Sequence, residues 1–180
     1  MRDMVKLILR KSKLVSSAHL IRRMIAGGAD VVGETAMAFG RLFGQVKRAL
    51  PFDAGMVRKV LIVRIDRVGD LVLSTPAIRA VRRTFPEAEV DVLVTEYTKD
   101  LVAGNANVNR VLVHGKDRLD RDYDLAFALH PGVEPNRLAF RSGARWRIGY
   151  AGSGGTYYLT HRLPDDRDVR VRHEVEAALE

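Results

Sequence analysis

Residues 59–94 read KVLIVRIDRVGDLVLSTPAIRAVRRTFPEAEVDVLV, and this stretch decides the fold class. Its opening run, Val60–Val63, is apolar without alternation, which is typical of a strand buried on both faces. Thr75 and Pro76 then predict the start of a helix, with Thr75 as the cap and Pro76 in the first turn. A second apolar run, Val90–Val94, predicts the next strand. The stretch therefore has the length and pattern of a βαβ unit.

The alternation of strands and helices continues toward residue 150. Further strands are predicted at Arg110–Val113, Asp124–Leu129 and Arg147–Tyr150, and short helices near Tyr97–Ala103 and Pro135–Phe140. Buried strands that alternate with helices favour an α/β fold in which the strands are parallel. We therefore predict a Rossmann-like, doubly wound parallel sheet.

The composition excludes several kinds of site. The 180 residues are 47% hydrophobic and include no cysteine, so a globular core is expected, and a thiolate nucleophile or a Cys-ligated metal is excluded. The five histidines are scattered without helical i, i+4 spacing. Three Asp-x-Asp pairs occur in strongly charged stretches, and we interpret them as surface charge. They are Asp120 with Asp122, Asp122 with Asp124, and Asp166 with Asp168. No metal or cofactor site is predicted.

The net charge of +8 is unevenly distributed. Residues 1–50 hold ten Lys/Arg and three Asp/Glu, whereas residues 51–180 are nearly neutral. A basic face on the domain itself is typical of nucleic-acid binding, so this distribution disfavours a nucleic-acid partner. The basic segment is predicted to be helical, and two interpretations remain open. It packs on the domain or a partner, or it lies on an anionic membrane surface.

Three segments follow from these patterns. We predict a basic helical extension over residues 1–55, a Rossmann-like domain over residues 56–170, and the beginning of a further helix over residues 171–180. Lysines and arginines interrupt the first apolar stretch, so it is not a signal peptide. No stretch approaches the ~18–20 apolar residues of a membrane span.

The predicted loop Asp66–Asp70 follows the first strand and is the first candidate site. Ligands of open α/β sheets bind beyond the carboxyl ends of the strands. Gly69 would let a ligand approach the backbone closely, and Asp70 is either a catalytic base or a cap of the following turn. The loop is neither a G-x-G-x-x-G fingerprint nor a P-loop, which disfavours a dinucleotide site.

Two further residues stand out near strand ends. Arg64 lies in an apolar run, and a buried arginine needs an anionic partner, either a protein carboxylate or a ligand phosphate. His130 ends a strand just before Pro131 and Gly132, where it either contacts a ligand or packs as a hydrogen-bonded histidine.

The segment Val60–Arg79 resembles the opening strand, loop and helix of glycosyltransferase family 9, the heptosyltransferases of lipopolysaccharide core synthesis. The resemblance covers about residues 59–180. Shorter supporting matches are Phe85-Pro86, Tyr123-Asp124-Leu125, Arg147-Ile148-Gly149-Tyr150 and His173-Glu174-Val175-Glu176.

This resemblance implies the two-domain GT-B fold, of which the chain holds the N-terminal, acceptor-binding half. Transfer would be inverting and independent of a metal. The position of the general base is Asp70, and Arg64 is the basic residue that contacts the anionic acceptor. Asp66, Arg67, Gly69 and His130 complete the expected acceptor site.

We therefore expect a transferase that moves heptose or a related sugar from a nucleotide sugar, ADP-heptose, to the inner core of lipopolysaccharide. It would be cytoplasmic and peripheral on the inner face of the cytoplasmic membrane, held there by residues 1–50. The donor domain of the family is absent from the 180 residues, so the chain is expected to be truncated and inactive alone. The alternative is a non-catalytic Rossmann-like binding module, tethered to a membrane or a partner by its basic arm.

Overall fold

The structure, a computed structural model, describes residues 28, 30, 31, 33–36, 51–151 and 154–164. The predicted helical extension lies mostly outside the described residues, and the predicted helix over residues 171–180 lies wholly outside them. Among the described residues, no helix has the length and apolar character needed to cross a membrane.

The described domain is built on a six-stranded sheet in which every neighbouring pair of strands is parallel. Its strands are β1 (Lys59–Val63), β2 (Glu89–Val94), β3 (Arg110–Val113), β4 (Leu125–Ala128), β5 (Trp146–Tyr150) and β6 (His161–Leu163). Their order is β3-β2-β1-β4-β5-β6, the doubly wound order. The predicted fold class is thus confirmed. Because the order reverses between β1 and β4, a crevice opens at the carboxyl ends of these two strands.

The two faces of the sheet carry separate hydrophobic clusters. In β1, Val60 and Ile62 belong to one cluster, and Leu61 and Val63 belong to the other. All four side chains are completely buried. This burial on both faces explains why the sequence of β1 shows no alternation.

Three helices of the described part of the chain lie between strands of the sheet. They are α1 (Val68–Leu73), α2 (Thr75–Thr84) and α3 (Val133–Arg141). Ile78 of α2 packs in the cluster on one face, and Leu138 of α3 packs in the cluster on the other. The helix predicted near Tyr97–Ala103 is only the single 3-10 turn Lys99–Leu101.

The structure corrects the region between β1 and α2. The predicted loop Asp66–Asp70 passes into helix α1, because Gly69 does not interrupt the helix. Thr75 is not the cap of α2, and its hydroxyl instead donates to the carbonyl of Val72 at 2.8 Å. Ser74 occupies the cap position without capping through its side chain. Two short helices therefore follow β1, and the first of them carries Asp70.

Candidate functional site

The candidate site lies where β1 and β4 end side by side. Val63 is paired with Ala128, and the ladder continues as the Leu129 amide donates to the Val63 carbonyl at 3.1 Å. On the other side of β1, the Arg64 amide donates to the Leu93 carbonyl at 2.9 Å. The residues that follow both strands therefore emerge at the same edge of the sheet.

Arg64 occupies the centre of this edge. Its side chain is only 4% exposed, and its Nε lies 3.1 Å from Oδ1 of Asp66. Nη1 donates to the carbonyl of Leu129, and Nη2 lies 3.9 Å from Oδ1 of Asp70. The anionic partner that the sequence required is therefore the protein's own Asp66, with Asp70 slightly farther away. Arg64 links β1, β4 and α1 at one point.

Asp66 also holds His130, with its second carboxylate oxygen. Oδ2 of Asp66 lies 3.0 Å from Nδ1 of the His130 ring. The Asp66 side chain is 11% exposed and the His130 side chain 36%. Because Nδ1 faces the carboxylate, Nε2 is the ring nitrogen available to a ligand. Asp66 thus orients a partly exposed imidazole at the crevice.

Asp70 sits in the first turn of α1 with its side chain 30% exposed. Its backbone carbonyl accepts from the Ser74 hydroxyl at 2.7 Å and from the Ser74 amide at 3.1 Å. Within the part of the chain that the structure describes, no backbone N–H donates to the Asp70 carboxylate. The capping role is therefore not what this geometry shows, and the carboxylate is left partly open beside Arg64.

Two of the residues expected at the site are not in contact with the group formed by Arg64, Asp66, Asp70 and His130. Arg67, which immediately precedes α1, and Gly69, within it, are both exposed. Tyr97, which the sequence reasoning missed, is close instead, because its hydroxyl donates to the backbone carbonyl of Asp66 at 2.6 Å. Its position just after β2, at the same edge of the sheet, is the signal that would have identified it.

The acidic pairs lie at the opposite edge of the sheet. Lys59 Nζ lies 3.2 Å from Asp120 and 2.9 Å from Asp122, so these two carboxylates form ion pairs at the surface. Asp124 departs from the surface-charge interpretation, because its Oδ2 accepts from the backbone amides of Arg58 and Lys59 at 2.8 and 3.1 Å. Asp166 and Asp168 lie outside the described residues. Among the described residues, no group of three or more His, Asp or Glu is placed to hold a metal ion.

Comparisons with known proteins found one relative by sequence and several solved structures of similar fold. No family model matches the chain. A putative glycosyltransferase of Haemophilus influenzae is 24% identical over 132 residues, which cover 67% of this chain and 38% of that protein.

The solved structures of similar fold include a family 9 glycosyl transferase from Veillonella parvula, with a TM-score of 0.58 and 19% identity over 68% of this chain and 39% of that one. The E. coli heptosyltransferase WaaC, solved with ADP, has a TM-score of 0.56 and 20% identity over 67% of this chain and 44% of that one. The described domain has the fold of part of a family 9 glycosyltransferase. E. coli ADP-heptose lps heptosyltransferase II is similar as well, with a TM-score of 0.55 and 21% identity over 67% of this chain and 40% of that one.

The resemblance to glycosyltransferase family 9 seen in Val60–Arg79 is thus confirmed, and with it the GT-B type of fold. The chain spans less than half the length of these relatives. On the family 9 fold, Arg64 and Asp70 lie together at the crevice, where the resemblance implied a basic residue and a general base. Their roles in catalysis and acceptor binding stay predictions.

Proposed function

We propose that this chain is the acceptor-binding half of an inverting, metal-independent glycosyltransferase. It would serve the transfer of heptose, or a related sugar, from ADP-heptose to the inner core of lipopolysaccharide. The observation that carries the proposal is the convergence of Arg64, Asp66, Asp70 and His130 at the carboxyl ends of β1 and β4. Support comes from the fold, since two of the similar structures are E. coli heptosyltransferases.

In the proposed reaction, Asp70 accepts the proton of an acceptor hydroxyl. The hydroxyl oxygen attacks the anomeric carbon of the donor sugar from one face, while the bond to the leaving ADP breaks on the other. The configuration at that carbon is therefore inverted. A carboxylate is a weak base, so Asp70 acts mainly by orienting the hydroxyl and by removing its proton late in the step.

The neighbouring residues support Asp70 in different ways. Arg64 is nearly buried and holds Asp66 at 3.1 Å, and its positive charge stands 3.9 Å from the Asp70 carboxylate. Asp66 in turn orients His130, whose Nε2 faces the acceptor. Arg67 and Gly69 lie exposed at the start of α1, where Arg67 contributes a charge for anionic groups and Gly69 a bare backbone for close approach.

The proposal extends to where the protein works. The acceptor is a membrane-anchored, anionic glycolipid, and residues 1–50 carry most of the net positive charge. We propose that this segment holds the protein on the inner face of the cytoplasmic membrane, with the domain on the cytoplasmic side. This arrangement would place the crevice near the lipid-linked acceptor.

Calorimetry with the chain alone tests the acceptor assignment. We expect micromolar binding of a soluble inner-core oligosaccharide, and no heat of binding with ADP-heptose or ADP, because the resemblance assigns the donor site to the other half of the fold. Arg67→Gln should weaken binding of the oligosaccharide. Arg83→Gln, which changes an exposed arginine on α2, should leave this binding unchanged. Micromolar affinity for ADP-heptose, or none for the oligosaccharide, would contradict the assignment.

A further inference from the structure

A second concave feature of the domain is a groove on the face of the sheet where α2 packs. Its volume is about 490 Å³. Phe127 of β4 and Ile148 of β5 form its floor. Ala80 and Val81 of α2 line one side, and Leu163 of β6 lines the other. We call this feature the apolar groove. None of the four residues that carry the proposed function lines it.

The two faces of the central strands are unequally covered. On the α3 face of β4, Ala126 and Ala128 are at most 1% exposed. On the groove face, Phe127 and its partner in β5, Ile148, keep part of their side chains exposed. Parallel sheets are ordinarily buried on both faces, and contiguous exposed apolar surface marks a place of contact. One more apolar segment is therefore expected on this face.

The described parts of the chain on either side of residues 37–50 both lie next to the groove. Before this segment, Glu34 is ion-paired with Arg162 of β6. After it, Phe52 lines the groove and packs edge-on against Trp146 of β5, with 5.4 Å between the ring centroids. Residues 37–50 lie outside the described residues, and their two ends are thus anchored at the groove.

The spacing of the two anchors suits the length of the segment. Arg162 is paired with Gly149, which lies three residues after Trp146 in β5. At about 3.3 Å per residue, the anchoring residues of the sheet are ~10 Å apart along the strands. The segment has fourteen residues, which span ~21 Å as a helix. It is therefore long enough to lie across the groove between its anchors.

The sequence of residues 37–50, MAFGRLFGQVKRAL, has the pattern of a helix with one apolar face. The large apolar residues on this face are Phe39, Leu42, Phe43, Val46 and Leu50. Arg41 and Arg48 fall on the opposite side. Gly40 and Gly44 lower the helix propensity, so a helix here depends on packing more than on its own sequence.

We infer that residues 37–50 dock as a helix in the apolar groove, with their apolar face against Phe127 and Ile148. The chain itself then buries the face of the sheet beside β4 and β5. Residues 165–180, which follow β6, hold six acidic residues and no Phe, Tyr or Trp, and thus fit an apolar groove less well.

Two consequences follow for the organisation of the chain. The folded domain begins near residue 37 and not near residue 56, and the proposed membrane anchor is confined to the residues before it. The docking is independent of the proposed sugar transfer, because it uses none of the crevice residues.

Cysteine accessibility in the full chain tests the inference, because the sequence has no cysteine of its own. Single variants place a thiol on the apolar face, with Phe43→Cys or Val46→Cys, or on the opposite face, with Arg41→Cys or Arg48→Cys. The rate of maleimide modification reports the exposure of each thiol. We expect the thiols of the apolar face to react about tenfold more slowly than those of the opposite face.

A charge placed in the groove should release this protection. Ala80→Glu or Thr84→Glu, each combined with Val46→Cys, should raise the modification rate about tenfold. Thr84 is exposed at the edge of the groove, so its variant should keep the fold, which circular dichroism and urea denaturation verify. Arg79→Glu introduces the same residue at an exposed position of α2 outside the groove, and should leave the rate unchanged.

Several outcomes would overturn the inference. Equal reactivity of the two faces, or protection that persists with glutamate in the groove, would show that the segment does not dock there. Protection that rises with protein concentration would assign the groove to a second copy. Protection of Leu179→Cys that Thr84→Glu releases, with Val46→Cys fully reactive, would assign it to residues 165–180. None of these measurements involves oligosaccharide binding, so failure of this inference is distinguishable from failure of the proposed function.

Discussion

Asp91 lies near the end of the sheet opposite the crevice, where it links β2 to Arg110 and Tyr123. The residue is completely buried in β2, and its Oδ2 accepts from the Tyr123 hydroxyl and from Arg110 Nη2, both at 2.6 Å. Burial and the hydrogen bond to Asp91 together raise the pKa of the Tyr123 phenol above its usual 10.0. A buried carboxylate is tolerated only while it keeps such partners.

Replacing Tyr123 with Phe removes one of these donors. We expect the free energy of unfolding near neutral pH to fall by about 1–3 kcal/mol, the cost of depriving a buried acceptor of its hydrogen bond. The pH dependence should change as well. In the unfolded chain the phenol ionises near its usual pKa of 10.0, whereas in the folded protein it stays protonated. Its contribution is therefore complete below about pH 10 and is lost as the pH rises further.

Urea denaturation between about pH 8 and pH 11 measures both effects. The wild type should lose stability above pH 10 more steeply than Tyr123→Phe. Tyr97→Phe, a change at an exposed tyrosine whose hydroxyl bonds the Asp66 carbonyl, is the control, and its stability should vary with pH as that of the wild type does. Parallel stability curves for the wild type and Tyr123→Phe would contradict the assignment.

Single residues show how far sequence reasoning reaches. Arg64 in an apolar run correctly predicted a buried cation that needs an anion, because that requirement is local chemistry. Its partners Asp66 and Leu129 were not predictable in the same way. Leu129 lies 65 positions away and reaches Arg64 only through the pairing of β1 with β4.

At the scale of elements, strong local patterns predicted the buried strands and α2, and weaker patterns failed. Helix α1 was missed because glycine disfavours a helix interior, yet Gly69 is helical here. Strand β6 was missed because its three residues, His161–Leu163, carry no apolar run and depend on pairing with β5. Short elements are specified by their neighbours more than by their own sequence.

Gly69→Ala separates the structural role of α1 from a role in binding. An added Cβ would meet no atom within 4 Å, and alanine favours a helix over glycine by about 0.5–1 kcal/mol. We therefore expect unchanged or slightly higher stability. Binding of the inner-core oligosaccharide should weaken about tenfold, because a methyl group would stand where the acceptor approaches the backbone. Calorimetry showing wild-type affinity would remove Gly69 from the acceptor site.

At the scale of the whole molecule, the uneven charge leads to a prediction about membranes. We expect the chain to sediment with anionic vesicles and not with neutral ones, and to be released at high salt as ions screen the attraction. Replacing Lys6, Arg10, Lys11 and Lys13 with glutamine should abolish binding at moderate salt. Removing four charges from the domain, at Arg58, Arg79, Arg83 and Lys116, should have little effect. Salt-independent binding, or equal losses in the two variants, would contradict an electrostatic anchor in residues 1–50.

The overall architecture was predictable because two independent signals agreed. The alternation of strands and helices predicted a parallel α/β sheet, and the family resemblance predicted that its fold is of the GT-B type. The order of the strands was not readable from the pattern alone, since it depends on the long-range pairing of β1 with β4. That same pairing creates the crevice, so the candidate site is a property of the assembled sheet.

The central claim is that Asp70 accepts the proton of the acceptor hydroxyl at this crevice. Its most direct test is the turnover of Asp70→Asn in a chimera that joins this chain to the donor-binding half of E. coli heptosyltransferase WaaC. Asparagine keeps the shape of the side chain, and the only ion pair it would lose within the described part of the chain is the 3.9 Å contact of a partly exposed carboxylate with Arg64, so stability and oligosaccharide binding should change little. Transfer at saturating acceptor should fall by on the order of 10²–10⁴-fold relative to the Asp70 chimera. Near-normal turnover of the Asn chimera would contradict the account.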